Sequence, residues 1–70
     1  MELQLNGWTA NVQHRKLDPD SIEARVIGTT DLIELEVSGA LKVGSVIKFR
    51  LDDAMQIANA IIKLAKEHGR

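Results

Sequence analysis

The sequence predicts an α+β fold: an antiparallel β-meander of about four to five short strands, with one C-terminal amphipathic α-helix packed on one face. Three observations lead there. Apolar and polar residues alternate in several short runs before residue 51, and turn residues separate those runs. From Ala54 onward the apolar spacing lengthens to three and four residues. Strands first and a helix last is the order of an α+β chain rather than an α/β one.

Leu3 and Leu5 alternate with Glu2 and Gln4, and Asn6-Gly7 follows. Asn-Gly between alternating runs signals a two-residue hairpin of type I′, which needs positive φ at both positions. Pairing Leu5 with Trp8 puts Leu3, Leu5, Trp8, Ala10 and Val12 on one face. Arg15 to Asp20 breaks the pattern, and Asp18-Pro19-Asp20 is turn chemistry.

Ile22, Ala24 and Val26 alternate with Glu23 and Arg25 and read as a half-buried strand. Gly28-Thr29-Thr30-Asp31 reads as a turn, and Ile33, Leu35 and Val37 alternate with Glu34 and Glu36. Pairing Ile27 with Leu32 brings Arg25 opposite Glu34. Ser38 to Ser45, with Gly39 and Gly44, reads as a longer loop, and Ile47, Phe49 and Leu51 form a last inward set. Pairing Val37 with Ile47 then sets Glu36 against Lys48 and Glu34 against Arg50.

In the last segment, Ala54, Ile57, Ala58, Ile61, Leu64 and Ala65 form a stripe that Leu51, Met55 and Ile62 widen. Asp52 and Asp53 suit a helix start, as caps and as complements to the dipole. Lys63, Lys66, His68 and Arg70 suit its end, where Gly69 can terminate it. Gln56, Asn59, Lys63 and Glu67 make the polar face.

Seventy residues are read as one domain, 1–70, and chains this short bury only about 60% of their unfolded surface. The chain has no cysteine, which removes disulfides and thiolate zinc sites. Oligomerisation is the stabilising device left open, so a homodimer is one expectation. Net charge is −1 from nine basic and ten acidic residues, which argues against nucleic acid, because such binders carry a basic excess. No apolar run approaches a membrane span. Met1-Glu2-Leu3-Gln4 lacks the basic and apolar regions of a signal peptide, so the expected compartment is the cytoplasm.

Few residues carry recognisable chemistry. His14 and His68 lie on different elements without a ligand pattern for zinc. Asp18 and Asp20 flank Pro19, and nothing completes a calcium loop around them. His14-Arg15-Lys16 is basic, but Asp18 and Asp20 follow at once. The aromatic residues Trp8 and Phe49 are both expected to face inward rather than to stack on bases. No phosphate-binding glycine loop and no GxSxG nucleophile occurs. The expectation is therefore no enzyme, no cofactor and no metal.

With one sheet face spent on the helix, the other is the broad surface left for function. The candidate partner-binding residues on it are Arg25, Ile27, Leu32, Glu34, Lys48 and Arg50, with Leu41 and Val43 in a nearby loop. The expected function is that of a small non-enzymatic interaction protein, an inhibitor, adaptor or regulator that binds a protein partner by its surface. In size and order of elements the chain resembles the small accessory proteins of phages and mobile elements, a group that includes anti-CRISPR and other anti-defence inhibitors. The resemblance covers the general plan and rests on no motif. Two alternatives stand beside it: an oligomer that sequesters a small ligand or nucleotide through Arg15, Lys16 or Arg50, and a nucleic-acid-binding module.

Overall fold

A computed structural model describes residues 1–39 and 42–69, with Lys42 and Val43 described by backbone alone. The chain is an α+β meander with the elements β1 (Glu2–Leu5), β2 (Trp8–Lys16), α1 (Ile22–Ile27), β3 (Asp31–Gly39), β4 (Lys42–Arg50) and α2 (Leu51–His68). The four strands form one open antiparallel sheet in the order β1-β2-β3-β4, and α2 packs against β3 and β4.

The first hairpin has the expected register, with Leu5 opposite Trp8 and Leu3 opposite Ala10. Its turn differs in detail. Gly7 has φ 80°, and no non-glycine residue among those described has positive φ, so Asn6 stays in the ordinary half of the map. Positive φ at the second central residue alone is the sign pattern of a type II turn rather than type I′.

The strand expected at Ile22 to Val26 is a helix, α1. Ser21 caps its start, its Oγ accepting from the Ala24 N–H at 3.1 Å. Gly28 ends it in the left-handed conformation at φ 81°, donating its N–H to the Ala24 carbonyl at 2.8 Å. Caps at both ends of six residues outweigh an alternation that a short helix can also accommodate. Moreover, the Leu17 N–H bonds the Thr30 carbonyl at 2.7 Å, and Lys16 pairs with Asp31. β2 therefore pairs directly with β3, and no place remains for a strand between them.

The pairings of Ile27 with Leu32 and of Arg25 with Glu34 are accordingly replaced. Arg15 stands opposite Leu32 and Gln13 opposite Glu34. Between β3 and β4, Leu35 meets Ile47 and Glu34 meets Lys48, a slip of two residues from the expected register. A slip of two leaves every side chain on its expected face. Its cause is the connection: the strands run to Gly39 and from Lys42, with an irregularity between Val37 and Gly39, instead of opening into a loop from Ser38 to Ser45. Leu41, assigned to that loop, lies outside the described residues.

By this register Leu3, Leu5, Trp8, Ala10, Val12, Ile33, Leu35, Val37, Ile47 and Phe49 share one face. Leu32, Glu34 and Lys48 share the other, and α1 covers part of it. The buried cluster there is Leu17, Ala24 and Leu32, with Ile27 packed against it. Leu32 is fully buried, which corrects its expected outward exposure with Ile27.

The apolar face is covered less completely than expected. No residue of α2 is itself buried, and Leu3, Leu5, Trp8 and Ile47 are 41–48% exposed, so Trp8 does not lie in a sealed core. Leu51 opens α2 rather than closing β4, and Arg50 is its N-cap without a side-chain hydrogen bond. Asp52 and Asp53 lie in the first turn, where they complement the dipole and do not cap.

Leu32→Ala is expected to lower unfolding free energy by about 2–5 kcal/mol in urea denaturation, because it opens a cavity between α1 and the sheet. Ile22→Ala and Val26→Ala, on the open side of α1, are expected to stay within about 0.5 kcal/mol. Equal losses at all three positions would return residues 22–26 to a half-buried strand.

Candidate functional site

The face that carries α1 holds the charged side chains. Arg15 lies between two carboxylates, with Nη1 3.2 Å from Glu34 Oε2 and Nη2 3.8 Å from Glu23 Oε2. Lys48 Nζ donates to Glu23 Oε1 at 2.6 Å. Gln13 Nε2 donates to Glu34 Oε1 at 3.3 Å. The order Glu34, Arg15, Glu23, Lys48 thus alternates in sign and ties α1 to β2, β3 and β4.

Glu34 is only 7% exposed, and its two oxygens are occupied by Gln13 and Arg15. Burial of a carboxylate is tolerated when paired and hydrogen-bonded in this way. No buried polar side-chain atom among the described residues lacks a partner. The hydrogen bond from Lys48 holds the Glu23 carboxyl below its ordinary value of 4.5, with the charges of Lys48 and Arg15 acting in the same direction.

The candidate residues separate into three groups. Leu32 and Glu34 are buried beneath α1 and Ile27 is half-buried, so these three support the surface rather than form it. Lys48 is engaged by Glu23. Arg25 is exposed on α1, and Arg50 is the joint between β4 and α2. Substituting Glu34 or Lys48 therefore perturbs the attachment of α1 as well as any docking.

Sequence reasoning missed Arg15 and Glu23 as the partners of Glu34 and Lys48, and it missed Ile22 and Val26. These last two lie one turn apart on α1 and are each 78% exposed. Val46, on the same face of the sheet, is 52% exposed. Ser21 and Gly28, seven residues apart, were the available signal for a capped helix.

The expected turn at Asp18 is present: the Asp20 N–H bonds Asp18 Oδ1 at 2.9 Å, and the Ser21 N–H bonds its carbonyl at 3.0 Å. His14 ends near Asp31, Nε2 to Oδ1 3.0 Å. No group of three or more His, Cys, Asp or Glu able to hold a metal occurs among the described residues. Nor is any helix among them long and apolar enough to cross a membrane.

An open cleft of about 380 Å³ lies where α1, β4 and α2 meet, lined by Ile27, Lys48, Phe49, Arg50, Asp53, Gln56 and Ile57. Glu23 engages its Lys48 and Asp53 stands beside its cations, so it concentrates little positive field for an anion. Comparison of the chain with protein families, with curated proteins and with solved structures gave no match.

Because the folded-state pKa of Glu23 is lowered, its stabilising contribution is present at neutral pH and is lost as pH falls through that lowered value. The difference in melting temperature between the native chain and Glu23→Gln is expected to be largest near neutrality and to shrink as the solution is acidified below 4.5. A difference independent of pH would mean that the Lys48–Glu23 pair does not hold α1.

Proposed function

We propose that this chain is a non-enzymatic interaction protein that acts by binding a protein partner, as an inhibitor, adaptor or regulator, and that α1 carries the contact. The observation behind this reading is the exposure of Ile22 and Val26, each 78% open to solvent one helical turn apart. Side chains four apart on a helix are neighbours, so the two form a single apolar knob. Arg25 stands exposed on the same helix, and exposed Val46 and Glu36 lie on the sheet face that α1 shares. An apolar centre with charged residues around it is the usual anatomy of a protein-binding patch.

Rigidity supports the same reading. Ser21 and Gly28 cap α1, Leu17 and Leu32 bury its inner side, and Glu23 is held by Lys48. A knob fixed in advance loses little entropy on binding. A small protein of this kind acts by occluding or bridging its partner's surface, which needs no catalytic group.

The test is capture of the partner by the tagged chain, followed by affinity measurement with variants. Ile22→Asp with Val26→Asp is expected to weaken binding tenfold or more, which is about 1.4 kcal/mol, with the circular dichroism spectrum unchanged. Arg25→Glu is expected to act mainly on the association rate and its salt dependence. Undiminished binding by the double variant would remove α1 from the contact.

A further inference from the structure

We propose that the chain forms a homodimer in which the apolar stripe of α2 in each protomer covers the open apolar sheet face of the other. The open sheet face lies opposite the one that carries α1, and the inference is independent of the function proposed above.

A compact protein of 7.7 kDa exposes about 4,300 Å², whereas this chain exposes 5763 Å². The excess is about 1,400 Å² per protomer, or about 2,800 Å² for a pair, which falls in the range of obligate dimers rather than transient contacts. Shape agrees: the radius of gyration is 14.2 Å, against about 11 Å for a compact domain of this length.

Away from α1, the exposed large apolar side chains fall into two sets. On the sheet, Leu3, Leu5, Trp8 and Ile47 are 41–48% exposed. On α2, Met55, Ile61, Ile62 and Leu64 are 51–65% exposed, and the whole helix has no buried residue. The 18-residue helix is about 27 Å long, and a nine-residue strand is about 30 Å long, so one helix spans one sheet face.

The helix cannot lie back over β1 and β2 of its own sheet without a change at the joint, because Leu51 follows Arg50 with no linker. A second copy brings a sheet to the open helix and a helix to the open sheet at once. In a two-fold arrangement each contact is made twice, so two apolar surfaces of matching length are satisfied by one chemistry. An unrelated partner would have to supply both a helix-like and a sheet-like apolar surface.

The experiment uses the full chain. Light scattering after size exclusion is expected to give twice the 7.7 kDa mass. Dilution is expected to shift Trp8 emission to the red, since Trp8 is the single tryptophan and sits on the covered face. Ile61→Asp is expected to abolish the dimer, whereas Ile22→Asp with Val26→Asp leaves its mass unchanged.

Should Ile61→Asp fail to fold, crosslinking decides, because the chain has no native cysteine. Leu5→Cys and Ile61→Cys chains, mixed and treated with a short bismaleimide, are expected to form the mixed covalent pair. A monomer at every concentration overturns the proposal. So does a dimer crosslinked solely between two Ile61→Cys chains with Trp8 emission indifferent to dilution, which means helix pairing instead of exchange.

Discussion

Arg50 is both the last residue of β4 and the N-cap of α2, and most of the molecule's organisation depends on that direct joint. With φ −67° and ψ 155°, one extended residue turns strand into helix. The axis of α2 is therefore tied to the direction of β4 instead of being free to settle over the middle of the sheet. Its contacts fall on β3 and β4, while the β1–β2 half of the apolar face stays open at Leu3, Leu5 and Trp8. A linker of several residues would have uncoupled these directions. The absence of one keeps an amphipathic helix and an amphipathic sheet from fully satisfying each other within one chain.

The other face is closed by a much smaller device. α1 has six residues, too few for an isolated helix to persist in water. It persists because each end is capped, because Ala24 is small enough to seat against Leu17 and Leu32, and because Glu23 reaches Lys48 across the sheet. The buried Glu34 follows from the same packing: once α1 covers the sheet, the carboxylate opposite Gln13 must find partners, and Gln13 and Arg15 provide them. Removing one partner of such a pair leaves a buried charge uncompensated, and that makes the network a specifier of where α1 docks.

These two faces divide the surface by chemistry. The α1 side presents a small apolar knob with charged neighbours on a rigid mount. The sheet face away from α1 and the stripe of α2 present the larger apolar surface, with Leu3, Leu5, Trp8, Ile61 and Leu64 each more than 40% exposed. Between them, the cleft at the α1, β4 and α2 junction is open, and Asp53 together with Glu23, which pairs with Lys48, offsets its Lys48 and Arg50.

Much of this was legible in residue order. The pairing of Leu5 with Trp8, the apolar face of every strand and the extent of the C-terminal helix follow from periods of two and of three to four, because periodicity reports which side of an element is apolar. Even the two-residue slip between β3 and β4 preserved those faces. Residues 22–27 were ambiguous by period alone, since Ile22, Ala24 and Val26 satisfy a strand's alternation while Ala24 and Ile27 satisfy a helix's spacing. Only the pairing of Lys16 with Asp31, a contact between residues distant in sequence, removes the strand. With it went the expected outward patch of Ile27 and Leu32, and Ile22 and Val26 became exposed instead. The sequence by itself determined which side chains needed cover. The tertiary structure decided what covers them, because cover depends on where a joint aims a helix and on which strands meet, and neither is a local property of the chain.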